Sequence, residues 1–178
     1  MVTDLGEVGP GRLAVVVMGV SGSGKSSVGE GLASALGIDF VDGDGLHSPE
    51  NVAKMASGTP LVDDDRWPWL DKIGATLADR AAHPAGIVVA CSALRKIYRD
   101  RIRAAAGQPI RFVFLDAPQV LVQERLGARK GHFMPPSLLA SQFATLERPN
   151  GEGDVLPVAV DVPVVEIVRR AAVELRGG

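Results

Sequence analysis

The chain has 178 residues, 46% of them hydrophobic, with 19 lysines and arginines against 21 acidic residues. That is enough for one well-buried core and short for two, and a formal net charge of −2 excludes a general nucleic-acid or anionic-membrane surface. The lone cysteine, Cys91, excludes an internal disulfide, and no apolar run approaches the roughly 20 residues needed to cross a bilayer. With no basic segment leading into an apolar signal core, a cytoplasmic protein acting on small molecules is expected.

Residues 1–12 are polar and rich in glycine, which suits a flexible leader, and residues 13–178 are expected to form a single domain. Val15 to Met18 is an apolar run that empties into Gly19-Val20-Ser21-Gly22-Ser23-Gly24-Lys25-Ser26, a complete G-x-x-x-x-G-K-[ST] loop. Glycines let successive backbone N–H groups turn inward at a helix N-terminus, so the loop forms a nest of phosphate size. Lys25 can reach the β and γ phosphates, and the Ser26 hydroxyl can take one position on an octahedral Mg²⁺. The required context is present: a buried strand before the loop, and after it an amphipathic helix over 27–36 with Val28, Leu32 and Leu36 on one face.

Gly37 stops that helix, and Ile38 to Val41 forms a second strand ending at Asp42-Gly43-Asp44-Gly45-Leu46-His47. Two carboxylates and a histidine thus crowd the carboxyl end of one strand, the side of a parallel sheet on which ligands bind. A short helix over 51–57 follows Ser48-Pro49-Glu50. Asp63-Asp64-Asp65-Arg66 then leads into a helix from about Trp67 to Ala82, with Trp67 and Trp69 able to wall a pocket.

Gly86 to Ser92 reads as a central buried strand, with Cys91 a small packed side chain rather than a nucleophile. Leu94 to Ala106 is a basic helix whose Arg95, Lys96, Arg99, Arg101 and Arg103 are expected mostly to face solvent. Ile110 to Leu115 is a fourth strand, and residues 120–126 a helix running into Gly127-Ala128-Arg129-Lys130-Gly131-His132, a basic stretch with hinge glycines suited to a mobile lid over anions at about 126–136. Residues 137–147 resume as helix with Leu138, Leu139, Phe143 and Leu146 inward, 155–160 is a fifth strand, and 164–175 a terminal helix. Alternating strands and helices predict an α/β fold, a three-layer αβα sandwich on a five-stranded parallel sheet.

A phosphate loop alone does not name an activity. A guanine-selective Asn-Lys-x-Asp stretch occurs nowhere, which excludes a regulatory GTPase, and the short length argues against a motor. In order along the chain, MGVSGSGKSS, DGDGLH, NVAKMASGTPLVDDDRWPWL, CSALRKIYRDRIR and GHFMPPSLLASQFATLE resemble the gluconokinase family, P-loop kinases related to shikimate kinases. The resemblance covers nearly all of the chain beyond the leader.

It implies ATP-dependent phosphorylation of D-gluconate at its 6-hydroxyl, with Mg²⁺ as cofactor, no nucleic-acid or membrane partner, and a homodimer, a state in which relatives often occur. By similarity, Gly19 to Ser27 would bind ATP, Ser26 and Asp42 would hold Mg²⁺, and Asp44 would accept a hydrogen bond from the substrate hydroxyl. Arg66 suits the gluconate carboxylate, since a guanidinium grips a carboxylate through two parallel hydrogen bonds. His47, Ser92 and His132 are candidates for the polyol hydroxyls. The family pattern places Arg125 near the nucleotide and Arg129 over the phosphates, where lid closure would exclude water. The family often carries lysine in place of Arg95 and threonine in place of Ser27. Two other readings stand beside this one: a kinase for another small hydroxy acid, and a nucleotide-binding regulatory module without transfer chemistry.

Overall fold

Alternation along β1 (Leu13–Met18) sends Val15 and Val17 to one face of a sheet and Ala14, Val16 and Met18 to the other, all of them buried. A strand with both faces apolar needs cover on both sides, and the chain supplies it. The computed structural model describes residues 11–128 and 136–177. Residues 1–10 of the expected leader, and Arg129 and His132 of the expected lid, lie outside the described residues.

β1 is the middle strand of five. With β2 (Asp39–Asp42), β3 (Gly86–Ala90), β4 (Arg111–Asp116) and β5 (Val155–Ala159) it forms a sheet ordered β2-β3-β1-β4-β5, every pair parallel. One face is covered by α1 (Lys25–Leu36) and α7 (Val164–Gly177), whose Val28, Leu32, Ile167, Ala171 and Leu175 meet Val15, Val17, Val88 and Val113. The other face is covered by α3 (Asp63–Ala78) and α4 (Lys96–Ala106), through Leu70, Ile73, Leu77 and Ile102 against Val16, Val89 and Phe112. The expected three-layer sandwich is therefore present. Gly74 lets α3 and α4 touch: a Cβ there would stand 2.5 Å from that of Ala105.

Most elements begin within a few residues of expectation, and the departures have physical causes. α2 (Pro49–Ala56) starts at Pro49 because Ser48 Oγ caps it by accepting from Asn51 N–H (3.1 Å). α3 begins at Asp63, before the expected Trp67. The acidic run is the helix's first turn, where its charges suit the helix dipole, and Asp65 Oδ2 accepts from Val62 N–H (3.0 Å). Pro68 consequently lies inside the helix. α5 (Gln119–Ala128) and α6 (Pro136–Thr145) take in residues 126–128 and 136 of the expected lid at their ends, and Leu138, expected inward on α6, is half exposed while Leu139 is buried. Arg12 does not belong to a loose leader, for it donates to the carbonyls of His83 (2.8 Å) and Leu77 (2.9 Å).

The largest correction concerns α4. Arg99, expected to face solvent, is fully buried. Its Nε and Nη2 grip Glu152 (2.9 and 2.8 Å), Nη1 donates to the carbonyls of Ala93 and Leu94, and Nη2 also reaches the Glu147 carbonyl. Arg103 adds bonds to Glu152 and Asp154 (both 2.8 Å). The Arg99 hydrogen bonds hold the Glu152 carboxyl below its ordinary range, so the pair survives mild acid and its contribution is lost only as pH falls through that lowered value. Arg99→Met leaves Glu152 buried without its main partner and is expected to lower unfolding stability by about 3–5 kcal/mol, measured by urea denaturation.

Candidate active site

The glycine-rich loop connects β1 to α1 at the carboxyl edge of the sheet, beside the loops that follow β2 and β3. Gly19 N–H donates to the Ser92 carbonyl (3.2 Å), which ties the loop to the turn after β3. Lys25 Nζ donates to the Val20 carbonyl (3.0 Å), so the ammonium curls over the loop that it is expected to serve. Desolvation lowers the Lys25 pKa from its ordinary value, while Asp44, Cys91 and Asp42 oppose that shift. Ser21, Gly22, Gly24, Lys25, Ser26 and Ser27 line a cleft of about 230 Å³ together with Asp42, Asp44 and Ala90.

Asp42, the last residue of β2, bridges the two halves of this cleft. Its Oδ2 accepts from Ser26 Oγ (3.2 Å), and its Oδ1 accepts from the Asp44 backbone N–H (3.0 Å), capping a 3-10 turn over Gly43–Leu46. The turn is seated tightly. A Cβ on Gly43 would lie 2.4 Å from the Ala90 carbonyl oxygen, and Trp69 Nε1 donates to the Gly43 carbonyl (2.8 Å). Ser26 and Asp42 offer hard oxygens to a cation, and among the described residues no group of three or more histidine, cysteine or acidic side chains forms a metal cage. Two protein oxygens fit an ion that keeps most of its shell in water and phosphate.

His47 closes the turn. Its ring stacks on Trp69 at 4.0 Å between centroids, and Asn51 Nδ2 donates to Nδ1 (3.2 Å), which leaves the proton on Nε2. Desolvation lowers its pKa, opposed by Asp44 and aided by Arg66, so His47 senses both charged residues and is held toward its neutral form. Arg66 itself is engaged: Nη1 donates to Asp63 Oδ1 and to the Tyr98 hydroxyl, both at 3.2 Å. Arg125 donates to the Val160 carbonyl next to β5. Cys91 is buried with its thiol pushed up to about 12 by desolvation, as a packed side chain rather than a nucleophile.

Among the expected residues, the structure brings together Lys25, Ser26, Asp42 and Asp44 in one cleft, with His47 against the same turn and Ser92 bonded to the loop by its backbone. Four contributors were not singled out by sequence. Asn51 fixes the His47 tautomer, and Asp63 and Tyr98 hold Arg66. Gln142 Oε1 accepts from the Ser21 N–H (2.7 Å), bringing α6 onto the phosphate loop. Tyr98 is the chain's single tyrosine and lies within the CSALRKIYRDRIR segment, but neither fact says what it holds.

A phosphate loop on a central parallel strand, with a hydrogen-bonded serine–aspartate pair and a second carboxylate beside it, defines a nucleotide-dependent phosphotransferase of the P-loop class. The family model for an AAA domain matches residues 15–149. The gluconokinase of Gluconobacter oxydans is 45% identical over 164 residues, covering 90% of this chain and 92% of that protein. The thermoresistant gluconokinase of Escherichia coli is 46% identical over 156 residues, covering 86% and 87%. The crystal structure of a gluconokinase from Sinorhizobium meliloti superposes with a TM-score of 0.83 at 52% identity, covering 92% of this chain and 91% of that one. The chain belongs to the gluconokinase family. No described helix is long and apolar enough to cross a membrane.

Gly43→Ala forces the Asp42–Asp44 turn away from Ala90, displacing both carboxylates while leaving every functional group of the site chemically intact. A shift near 1 Å is expected to cut kcat about 100-fold with the circular dichroism spectrum unchanged.

Proposed function

We propose that the chain transfers the γ-phosphoryl group of ATP to the 6-hydroxyl of D-gluconate, giving 6-phosphogluconate and ADP, with the cleft between Lys25 and Asp44 as the site of transfer. The observation that carries this reading is the double engagement of Asp42, which links Ser26 of the phosphate loop to the backbone of Asp44. That link would set donor cradle and acceptor carboxylate side by side, as in-line transfer requires.

The backbone N–H groups of Gly22 to Ser26 would hold the β-phosphate, and the Lys25 ammonium would leave the Val20 carbonyl to meet the transferred group. Ser26 and Asp42 would hold Mg²⁺, which when bound neutralises phosphate charge. Asp44 is exposed in the cleft and would accept a hydrogen bond from the 6-hydroxyl, orienting an oxygen lone pair toward the phosphorus. A loose transition state asks for little base strength, so orientation is its main task and the proton can follow late. His47, held toward its neutral form, would present Nε2–H to a polyol oxygen, and Ser92 would offer a hydroxyl to another. Arg66 would take the carboxylate. Arg125, Arg129 and His132 keep the roles that the resemblance implies: Arg125 at the nucleotide, Arg129 over the phosphates, His132 at the substrate. A homodimer, on family resemblance alone, and a cytoplasmic location, on the lack of a signal core, complete the reading, and light scattering of the purified chain checks the oligomeric part.

A coupled assay for ADP release across a panel of polyol acids tests the reaction: turnover is expected with gluconate, and binding of ATP with no acceptor-dependent turnover would rule out a kinase. Lys25→Ala is expected to abolish transfer while the chain stays folded. Asp44→Asn is expected to lower kcat about 100-fold or more, the range of a positioned acid–base group; an unchanged kcat would reduce Asp44 to a turn residue. Arg66→Lys should raise the KM for gluconate more than that for ATP, and equal rises would remove Arg66 from the carboxylate site.

A further inference from the structure

Asp63, the first residue of α3, is approached by three donors from three side chains. The Tyr98 hydroxyl donates to Oδ1 (2.5 Å), Arg66 Nη1 donates to the same oxygen (3.2 Å), and Arg95 Nη1 donates to Oδ2 (3.1 Å). Both guanidinium groups also lie against the Tyr98 ring, their central carbons 5.4 and 5.5 Å from its centroid. Two arginines from different elements, one in the first turn of α3 and one capping α4, are thus stacked on one tyrosine and aimed at one carboxylate.

The arrangement leaves capacity for a second carboxylate. Among the described residues the hydrogen bonds of each arginine run through Nη1, and Nη2 of both has no partner. Arg95 Nε stands 4.0 Å from Glu147, whose Oε1 is taken by the Lys96 N–H (2.8 Å). The side chains of Arg66 and Arg95 are 29% and 37% exposed, so a ligand can reach them. The Tyr98 hydrogen bond, with Arg95 and Arg66, holds the Asp63 carboxyl below its ordinary range. Asp63 therefore stays ionised and cancels only part of the pair's charge. The site also lies beside the cleft: Arg66 stands one helical turn before Trp69, which stacks on His47 and donates to the Gly43 carbonyl, and Arg95 follows three residues after Ser92.

We propose that Arg95 is the second arm of a carboxylate clamp, gripping the acid group of the substrate together with Arg66, while Asp63 and Tyr98 are positioning residues that hold the two guanidinium groups side by side. The inference rests on the reading of this cleft as the acceptor site for a polyol acid. Each arginine gives one Nη2–H to one carboxylate oxygen, and a neutral polyol gains nothing from either. Discrimination for the acid is built in before binding, because Tyr98 and Asp63 have already fixed both side chains.

Arg95→Gln is expected to raise the KM for gluconate about tenfold, the loss of one charge-assisted hydrogen bond, with the KM for ATP unmoved. Tyr98→Phe keeps the ring but frees Asp63 and Arg66, and is expected to raise the gluconate KM about threefold at unchanged kcat. If Arg95→Gln does not fold by circular dichroism, Tyr98→Phe decides alone. A gluconate KM equal to the parent's, or parallel rises for gluconate and ATP, overturns the clamp and leaves the gluconate reaction standing. If the parent instead phosphorylates another polyol acid, and Arg95→Gln raises the KM for that acid alone, the clamp stands and the gluconate reading falls.

Discussion

A single carboxylate, that of Asp42, holds the two halves of the site at their separation. It ends the edge strand β2, whose register against β3 pairs Asp42 with Ala90. From there one oxygen reaches forward to Ser26 at the start of α1 and the other turns back to the Asp44 N–H. Because Gly43 sits hard against the Ala90 carbonyl and under the Trp69 indole, the turn has little freedom to swing. The placement of Asp44 is therefore inherited from the sheet rather than from a flexible loop. That is the geometry a phosphoryl transfer needs, since positioning supplies most of its rate.

The turn after β3 is held by a different device. Ala93 has a left-handed backbone, φ 46°, which costs an L-residue about 1–2 kcal/mol. Arg99 offsets this from below by donating to the carbonyls of Ala93 and Leu94, and it is in turn neutralised by Glu152. A buried ion pair adds little net stability over apolar packing, yet here it fixes a strained turn whose Ser92 carbonyl receives the phosphate loop's Gly19 N–H. Residues of the far segment 147–154 thus support the site without lining it.

What the sequence made legible was whatever is local. The β1–loop–α1 unit lies within 24 consecutive residues, from Leu13 to Leu36, and its glycines, lysine and apolar period need no knowledge of distant partners. That β1 is an interior strand follows once both its faces are seen to be apolar, whereas the order β2-β3-β1-β4-β5 depends on crossovers that no local pattern specifies. Arg99 was illegible because an arginine in a basic helix is ordinarily solvated, and its partner lies 53 residues further on. The start of α3 was obscured by Pro68, which reads as a first-turn residue; the acidic run nonetheless adds a turn before it. The engagement of Arg66 depends on Tyr98, 32 residues away, so a guanidinium suited to a carboxylate could be named without its neighbours.

The rim on the far side of the phosphate loop follows the same logic of distant ties. α5 abuts the loop, since a Cβ on Gly22 would meet Leu126 at 3.0 Å, and Arg125 anchors the helix to the Val160 carbonyl. α6 returns onto the loop through Gln142 and Ser21. Just beyond it, Glu147 N–H donates to the Leu94 carbonyl (2.7 Å) and Arg148 grips Asp116 at the end of β4 with both Nη atoms (3.0 and 2.6 Å). The two helices that flank residues 129–135 are therefore each fixed to the phosphate loop, one by packing and one by a hydrogen bond to its backbone. Through Gln142 and Glu147 the segment from α6 touches both the phosphate loop and the turn after β3. The phosphate loop and the Asp42–Asp44 turn are thus joined by the Asp42 carboxylate, and the loop has a second, longer connection around the rim to the turn after β3.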